Sequence, residues 1–139
     1  MKMRNYSDSD FPLLEQLLKE TGIYEPYDRR HVFKRKVKHD PESIIVAEEG
    51  GRILGCVFLI YDEWNSFIFH LCVHPEHRGR GLGKMLIERA EGVLKSRGIR
   101  RCMLFVEGKN RHTVSFYKKM GWFLLANDVI AMQKDYDYP

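Results

Sequence analysis

The sequence contains no apolar run that approaches the roughly 18 consecutive residues of a membrane span. It has only three cysteines, Cys56, Cys72 and Cys102, with neither a CxxC pair nor the Cys/His spacing of a zinc site. An odd number of isolated cysteines argues against a disulfide framework, so we expect buried thiols. The first residues lack the apolar core of a secretory signal. These absences predict a cytoplasmic protein without a metal site or membrane contact.

Internal repeats, low-complexity tracts and Pro/Gly/Ser-rich linkers are also missing from the sequence. We therefore expect residues 1–139 to form one domain of ordinary size. Hydrophobic residues make up 44% of the chain, which is enough for a core and too much for a disordered segment. The net charge of +4 suits an anionic ligand, but it is too small to indicate nucleic acid binding.

The hydrophobic pattern of the first half predicts a strand, two helices and then three strands. The predicted strand covers residues 2–6, and the helices cover residues 7–21 and about 28–38. The three later strands cover residues 43–48, 52–61 and 66–73. Because only short turns separate these three strands, they should form an antiparallel meander.

The second half predicts a helix from about residue 82 to a C-cap at Gly98, followed by a buried strand over residues 101–106. A helix from Asn110 through Met120 comes next, and then a tight hairpin with strands over residues 122–125 and 129–133. The strand–helix–strand connection indicates one parallel pairing. The predicted fold class is α/β, with a mixed, mostly antiparallel sheet and helices on both faces.

The junction between the strand ending at Val73 and the helix starting near residue 82 is rich in glycine and basic residues. Glycines let an oxygen-rich ligand approach the backbone, and the first N–H groups of a helix attract phosphate. Basic side chains add charge-assisted contacts. We predict that a phosphate group binds the segment Arg78, Gly79, Arg80, Gly81, Leu82, Gly83 and Lys84.

Two common phosphate-binding motifs do not fit this segment. A Walker A loop requires Ser or Thr after its lysine, but Met85 follows Lys84. A Rossmann fingerprint requires GxGxxG after an early strand, whereas the spacing here is GxGxG and a meander precedes it.

The pattern Arg78-x-x-Gly81-x-Gly83 instead resembles the pyrophosphate-binding motif of the GNAT superfamily of N-acetyltransferases. A second motif of that family resembles Asn110-x6-Tyr117, and the two motifs occur in the family's order. The resemblance covers nearly the whole chain. It implies the GNAT fold, acetyl-CoA as acetyl donor, and transfer of the acetyl group to an amine.

The resemblance also implies roles for single residues. Backbone groups of Leu71, Cys72 and Val73 are expected to pair with the pantetheine arm, and Asn110 to contact the cofactor. The N–H of Val73 is the first candidate for stabilising the oxyanion. The Tyr117 hydroxyl is expected beside the cofactor sulfur, where it would protonate the leaving thiolate.

The general base is harder to assign. The positions at which relatives carry an acidic or histidine base correspond to Phe67, Phe69 and Phe105. Strand alternation places His70 on the opposite face, so we interpret it as a structural histidine. Glu107 shares the parity of Phe105 and is the best remaining candidate, with water as the alternative.

The acceptor is expected to be a primary amine. The short final hairpin predicts an open groove, which favours a peptide N-terminus or a protein lysine over a small amine. The resemblance implies that Tyr24, Glu25 and Tyr27 line this groove.

The basic helix over residues 28–38 is either a solvated face or a site for an acidic partner or ribosomal RNA. A non-catalytic acyl-CoA-binding regulatory module is a second interpretation, and both a monomer and a homodimer are compatible with the sequence.

Overall fold

The computed structural model describes residues 1–136. Contacts divide the chain into two compact units, Met1–Leu104 and the chain from Phe105 onward, and each is considered by itself. The second unit contains one helix, α4 (Arg111–Lys119). The elements of the first unit are β1 (Lys2–Asn5), α1 (Phe11–Glu20), α2 (Arg30–His39), β2 (Ile44–Glu49), β3 (Arg52–Tyr61), β4 (Ser66–Val73) and α3 (Leu82–Ser96). None of the helices within residues 1–136 has the length and apolar character that crossing a membrane requires.

The first unit is built on an antiparallel sheet with the strand order β1-β2-β3-β4. Strands β2, β3 and β4 are neighbours in the sheet because only short turns separate them in the chain. The turns are at Gly50–Gly51 and residues 62–65, where the sequence predicted them. The predicted meander is therefore confirmed, and the bounds of β3 and β4 agree with the prediction.

Helices cover both faces of the sheet, because alternate residues of a strand point in opposite directions. On one face, Phe58 of β3 meets Phe33 of α2 edge to face, with ring centroids 5.2 Å apart. On the other face, Gly55 lies under α3. A Cβ added to Gly55 would be 2.9 Å from Leu86 Cδ1 and 2.9 Å from the Cys72 carbonyl oxygen, so only glycine allows this close packing. The predicted fold class is confirmed.

An ion pair joins the first strand to the start of the first helix. Both terminal guanidinium nitrogens of Arg4 bind the carboxylate of Asp10, at 2.7 and 2.8 Å. The same carboxylate accepts the N–H of Ser7 at 2.8 Å. The hydrogen bonds from Arg4 hold the pKa of Asp10 below its ordinary value. This pair fixes the angle at which the chain leaves β1 and enters α1.

Strand β4 contains a bulge. The register runs from Cys56 opposite Cys72 to Phe58 opposite Phe69, so two steps along β3 face three along β4. His70 lies in the bulge with φ 50°, and it is the only non-glycine residue with positive φ within residues 1–136. Strict strand alternation, which we assumed for His70, therefore does not hold at this position.

The predicted strand over residues 101–106 is reduced to one parallel bridge between Phe67 and Met103. At this bridge the Ile68 N–H donates to the Met103 carbonyl oxygen at 3.0 Å, and the Met103 N–H donates to Ser66 at 2.9 Å. The parallel pairing is thus present where it was expected, but the extent of the strand was wrong. Apolar β-formers become a regular strand only where a neighbouring strand pairs with them along their length.

In the second unit, α4 begins after Asn110, as predicted. The side-chain oxygen of Asn110 accepts the N–H of Thr113 at 3.2 Å and caps α4, which ends just before Gly121. The predicted hairpin over residues 122–133 is not formed, since residues 122–136 contain neither helix nor strand. An isolated two-stranded hairpin is at best marginally stable, and the described residues after 104 contain no strand to extend it. The apolar side chains of this segment are exposed: Phe123, Leu124, Leu125, Val129, Ile130 and Met132.

Candidate functional site

The predicted phosphate site coincides with the start of α3. Gly81 is the N-cap residue with φ 81°, a left-handed conformation that is unfavourable for residues with a Cβ. No side chain caps the helix, and its first turn has no acidic residue. Within the described residues, the N–H groups of Leu82, Gly83 and Lys84 find no acceptor, and the first helical bond runs from the Met85 N–H to Gly81 at 3.0 Å. Three amide donors therefore meet at the positive end of the helix dipole.

Basic side chains surround these amides. Arg78, Arg80 and Lys84 are all exposed. The Nε of Arg78 donates to the Val73 carbonyl oxygen at 3.1 Å, which fastens the loop to the end of β4. Within the described residues, no carboxylate lies at ion-pair distance from Arg78 or Arg80, while Lys84 lies 3.8 Å from Glu88. The guanidinium groups are thus available to an anionic ligand.

The strand before the loop has an open outer edge. On its inner side β4 pairs with β3, and on its outer side Phe67 forms a parallel bridge with Met103. In the part of the chain that the structure describes, no strand pairs with the outer side of Leu71, Cys72 and Val73. An extended chain that carries amide groups can add to such an edge as a further strand.

A buried carboxylate holds the His70 side chain in the bulge. Its Nε2 lies 2.9 Å from Oδ2 and 3.0 Å from Oδ1 of Asp28. The same Oδ2 accepts the N–H of Glu25 at 2.8 Å. The His70 ring packs against Phe58, with centroids 4.9 Å apart. The carboxylate partner of His70 therefore belongs to the segment between α1 and α2.

Two further histidines lie next to the phosphate loop. His74 accepts the Glu76 N–H at Nδ1, 3.2 Å away, and its Nε2 is 3.6 Å from Glu20. The ring of His77 packs edge to face against His74 at 5.5 Å. Within residues 1–136, His77 Nδ1 is one of the few buried polar atoms without a hydrogen-bond partner. Both side chains therefore border the start of the loop.

The cysteines behave as expected from the sequence. Cys56 and Cys72 are buried free thiols on paired strands, with sulfurs 3.4 Å apart. Burial raises the pKa of Cys56, whereas the hydrogen bond between the two thiols lowers the pKa of Cys72. Cys102 is half-buried. Among the described residues, no group of three or more His, Cys, Asp or Glu side chains is arranged to hold a metal ion.

The second unit holds three residues that the sequence singled out. Tyr117 is 8% exposed, and its ring packs against Phe116 at 5.0 Å and Trp122 at 5.7 Å. Burial raises the pKa of Tyr117 to about 12, so its hydroxyl stays protonated at neutral pH. The side-chain oxygen of Asn110 is engaged in the α4 cap. Glu107 is exposed and lies in the turn before α4.

Comparison with known proteins identifies the family. The model of the acetyltransferase (GNAT) family matches residues 3–122. An acetyltransferase of Sodalis glossinidius is 34% identical over 121 residues, which cover 86% of this chain and 85% of that protein. The chain belongs to the acetyltransferase (GNAT) family.

Solved structures show the same fold. The paia N-acetyltransferase of Thermoplasma acidophilum, in complex with coenzyme A, is 22% identical with a TM-score of 0.80, over 91% of this chain and 92% of that chain. The glucosamine-6-phosphate N-acetyltransferase of Arabidopsis thaliana is 25% identical with a TM-score of 0.70, over 98% of each chain. The predicted enzyme class, acyltransferase, is confirmed, and acetyl-CoA is the acetyl donor of the family.

The structure thus brings together the two predicted parts of the donor site, the end of β4 and the loop into α3. Glu107, Asn110 and Tyr117 belong to the other unit. Sequence reasoning missed Asp28, because a carboxylate at the start of a basic helix has the pattern of a solvated N-terminal residue. Its burial follows from contacts with a strand more than forty positions further along the chain.

Proposed function

We propose that this chain is an acetyl-CoA-dependent N-acetyltransferase that acts as a single domain and acetylates a primary amine by direct attack in a ternary complex. One observation carries the proposal: the open edge of β4 leads directly into the uncapped start of α3, and Arg78 bonds to Val73 between them. The family match over residues 3–122 spans both units and supports one domain.

In this proposal the donor binds mainly through backbone groups. The pyrophosphate occupies the start of α3, where the amides of Leu82, Gly83 and Lys84 donate to its oxygens. Arg78 and Arg80 neutralise its charge. The pantetheine arm extends along Leu71 to Val73 as an added strand, with its amides paired to the open edge. Asn110 contributes a further contact from the second motif.

The chemistry then needs a neutral amine, a stabilised oxyanion and a protonated leaving group. An ammonium group with a pKa near 10.4 is mostly charged at neutral pH, so it must lose a proton before it attacks the thioester carbon. The N–H of Val73 stabilises the oxygen of the tetrahedral intermediate. As the C–S bond breaks, Tyr117 gives a proton to the thiolate, a role that its raised pKa supports.

The acceptor is proposed to be a peptide N-terminus or a protein lysine. Support comes from the segment between α1 and α2, where Glu25 is exposed and Tyr24 and Tyr27 are half-buried. Carboxylate and hydroxyl oxygens can accept hydrogen bonds from the N–H groups of an amine. A small amine is the second candidate, because the similar protein from Arabidopsis thaliana is by name an acetyltransferase of a phosphorylated amino sugar. Glu107, with water as the alternative, stays the base predicted from the sequence.

Thiol release from acetyl-CoA tests the proposal. The purified chain is incubated with acetyl-CoA and one of three probes: a lysine-containing peptide with a free N-terminus, spermidine, or glucosamine 6-phosphate. We expect amine-dependent thiol release with one probe class and a mass increase of one acetyl group on that probe. Calorimetric binding of CoA without release for any probe would indicate the non-catalytic module, and absence of CoA binding would overturn the donor site.

A further inference from the structure

We propose that His70 accepts the proton of the acceptor amine through its Nδ1 atom, with Asp28 as the residue that positions it. This inference rests on the proposed function and assigns to His70 the role that sequence parity gave to Glu107. The observations that carry it are the contact between His70 and a buried carboxylate, the strained backbone of the bulge, and the position of the bulge next to the open edge of β4.

The contact with Asp28 fixes which nitrogen of His70 is basic. An ionised carboxylate only accepts hydrogen bonds, so the Nε2 atom between its two oxygens must carry a proton. In the neutral imidazole the lone pair is then on Nδ1. Within residues 1–136, no side chain or backbone group is hydrogen-bonded to that atom. A base oriented through its other nitrogen by a third group is the usual arrangement of activating histidines.

The backbone of His70 is held in an unfavourable conformation. His70 is a non-glycine residue in the left-handed region, where its Cβ is close to the backbone, and such strain concentrates at functional sites. The thiol of Cys56 donates to the His70 carbonyl oxygen at 3.2 Å, and the ring rests on Phe58. The surroundings thus hold the bulge in place from β3 and from the segment between α1 and α2.

His70 is adjacent to both proposed substrate sites, the donor edge of β4 and the acceptor segment between α1 and α2. Leu71, the first residue of the open edge, follows directly in the chain. Asp28 belongs to the segment that carries Tyr24, Glu25 and Tyr27. The side chain of Asp28 is 5% exposed, whereas that of His70 is 15% exposed and remains within reach of solvent. A proton acceptor at this position lies between the donor strand and the proposed acceptor segment.

Two titratable groups face His70 from the elements packed against it. Asp28 faces it from the segment between α1 and α2, and Cys56 faces its carbonyl oxygen from β3. Burial raises the pKa of Cys56, so this thiol stays neutral at the pH of the assay.

The proton balance of the step is complete. The ammonium group of the acceptor transfers one proton to Nδ1, which leaves a neutral amine and an imidazolium. The amine nitrogen forms a bond to the thioester carbon, and the C–S bond breaks as Tyr117 gives its proton to the thiolate. The remaining excess proton on the nitrogen then passes to the Tyr117 oxygen and restores its hydroxyl group. The imidazolium returns its proton to water. The net products are the acetamide, CoA thiol and one proton.

Two variants distinguish a role of His70 as proton acceptor from a purely structural role. His70→Asn suits the backbone, because asparagine tolerates positive φ better than other residues with a Cβ. His70→Gln instead retains a donor long enough to approach Asp28. Each variant keeps one structural feature of the bulge and removes the basic nitrogen. His39→Gln, at an exposed histidine at the end of α2, serves as the matched control, and CoA binding and thermal unfolding are measured for all three variants.

The readout is the pH dependence of kcat/KM with the fastest probe amine. We expect both His70 variants to bind CoA as the wild type does and to lose about 100-fold in kcat/KM at pH 7, the scale of general-base catalysis. Their rates should then rise with pH up to the ionisation of the amine itself. His39→Gln should keep the wild-type profile. A wild-type rate and a wild-type pH dependence of kcat/KM in His70→Gln would overturn the proposal. A hydrogen bond to Asp28 without a basic nitrogen would then be enough for full activity.

A second measurement does not depend on the acceptor. Long-range ¹H–¹⁵N correlation spectra of the wild type at neutral pH should show the His70 ring with its proton on Nε2, and Asp28→Asn should remove this preference. A ring protonated on Nδ1 would overturn the assignment even if the enzyme is active. If the wild type releases no CoA with any probe, the proposed function fails as a whole, an outcome distinct from an active enzyme that is indifferent to His70.

Discussion

The first unit, Met1–Leu104, and the residues from 105 to 136 contribute to the proposed reaction in different ways. The first supplies the donor site mostly through backbone amides at a strand edge and a helix start. The second supplies single side chains, of which Tyr117 is buried and Glu107 is exposed. The difference indicates that donor binding depends on chain conformation, whereas proton transfer depends on the chemistry of individual residues.

Their packing differs as well. The first unit has a sheet with helices on both faces and fully buried side chains such as Leu18 and Leu86. The described part of the second unit has one helix, and Ile130 in the segment after it is 83% exposed. Substitutions of buried side chains should therefore cost stability in the first unit, and substitutions in the segment after α4 should cost little. Four substitutions test the differences in function and in packing, from the largest expected effect to the smallest.

The largest effect is expected for Gly81→Val. A β-branched residue at φ 81° strains the backbone and withdraws the amides that we assign to the pyrophosphate. The combined loss of about 4 kcal/mol corresponds to roughly a 1000-fold weaker CoA affinity, measured by calorimetry. Gly22→Val is the matched control, because Gly22 has φ 77° and open space around it at the end of α1. Equal weakening by both variants would mean that strain alone, and not the phosphate site, explains the loss.

Tyr117→Phe should lower kcat by about 100-fold, within the range of general-acid catalysis, because the thiolate then leaves without a proton donor. CoA affinity should stay within about twofold of the wild type, since the ring and its packing against Trp122 are kept. Stopped-flow thiol release and calorimetry give the two numbers. An unchanged kcat would assign Tyr117 to packing alone.

Asp10→Asn should destabilise the first unit by about 2 kcal/mol at pH 7, the scale of hydrogen bonds to charged groups. The lowered pKa of Asp10 means that its contribution is complete at neutral pH and is lost as the pH falls through the folded-state pKa. The difference between wild type and variant should thus shrink below pH 4 in urea unfolding. Asp8→Asn removes an exposed partner of Arg30 and should leave stability nearly unchanged, because solvent screens an exposed ion pair.

The smallest effect is expected for Ile130→Ser, with a change in unfolding free energy of less than about 0.5 kcal/mol, as for exposed positions generally. Leu18→Ala in the core of the first unit is the comparison and should cost about 3 kcal/mol. A loss of more than about 1.5 kcal/mol for Ile130→Ser would show that the segment packs in solution like the hairpin that its sequence pattern predicts.

Local signals predicted most of the first unit. The Gly50–Gly51 turn, the apolar run of β3 and the glycines before α3 each specify their structure over a few residues. The bulge at His70 could not be predicted in this way, because it follows from the register between β3 and β4. The partner of His70 also escaped prediction, since Asp28 is distant in sequence. In the second half, the run around Met103 shows that strand propensity alone does not produce a strand when pairing is limited to one bridge.

The most direct test of the central claim is an amide ¹H–¹⁵N titration of the full chain with CoA. The account predicts that the largest shifts fall on Leu71, Val73 and the first turn of α3 from Leu82 to Lys84. Gly22 and Gly50 have positive φ like Gly81 but lie elsewhere in the first unit, so the chemical shifts of their amides should hardly change. Saturable binding with the largest shifts outside the end of β4 and the start of α3 would contradict the account.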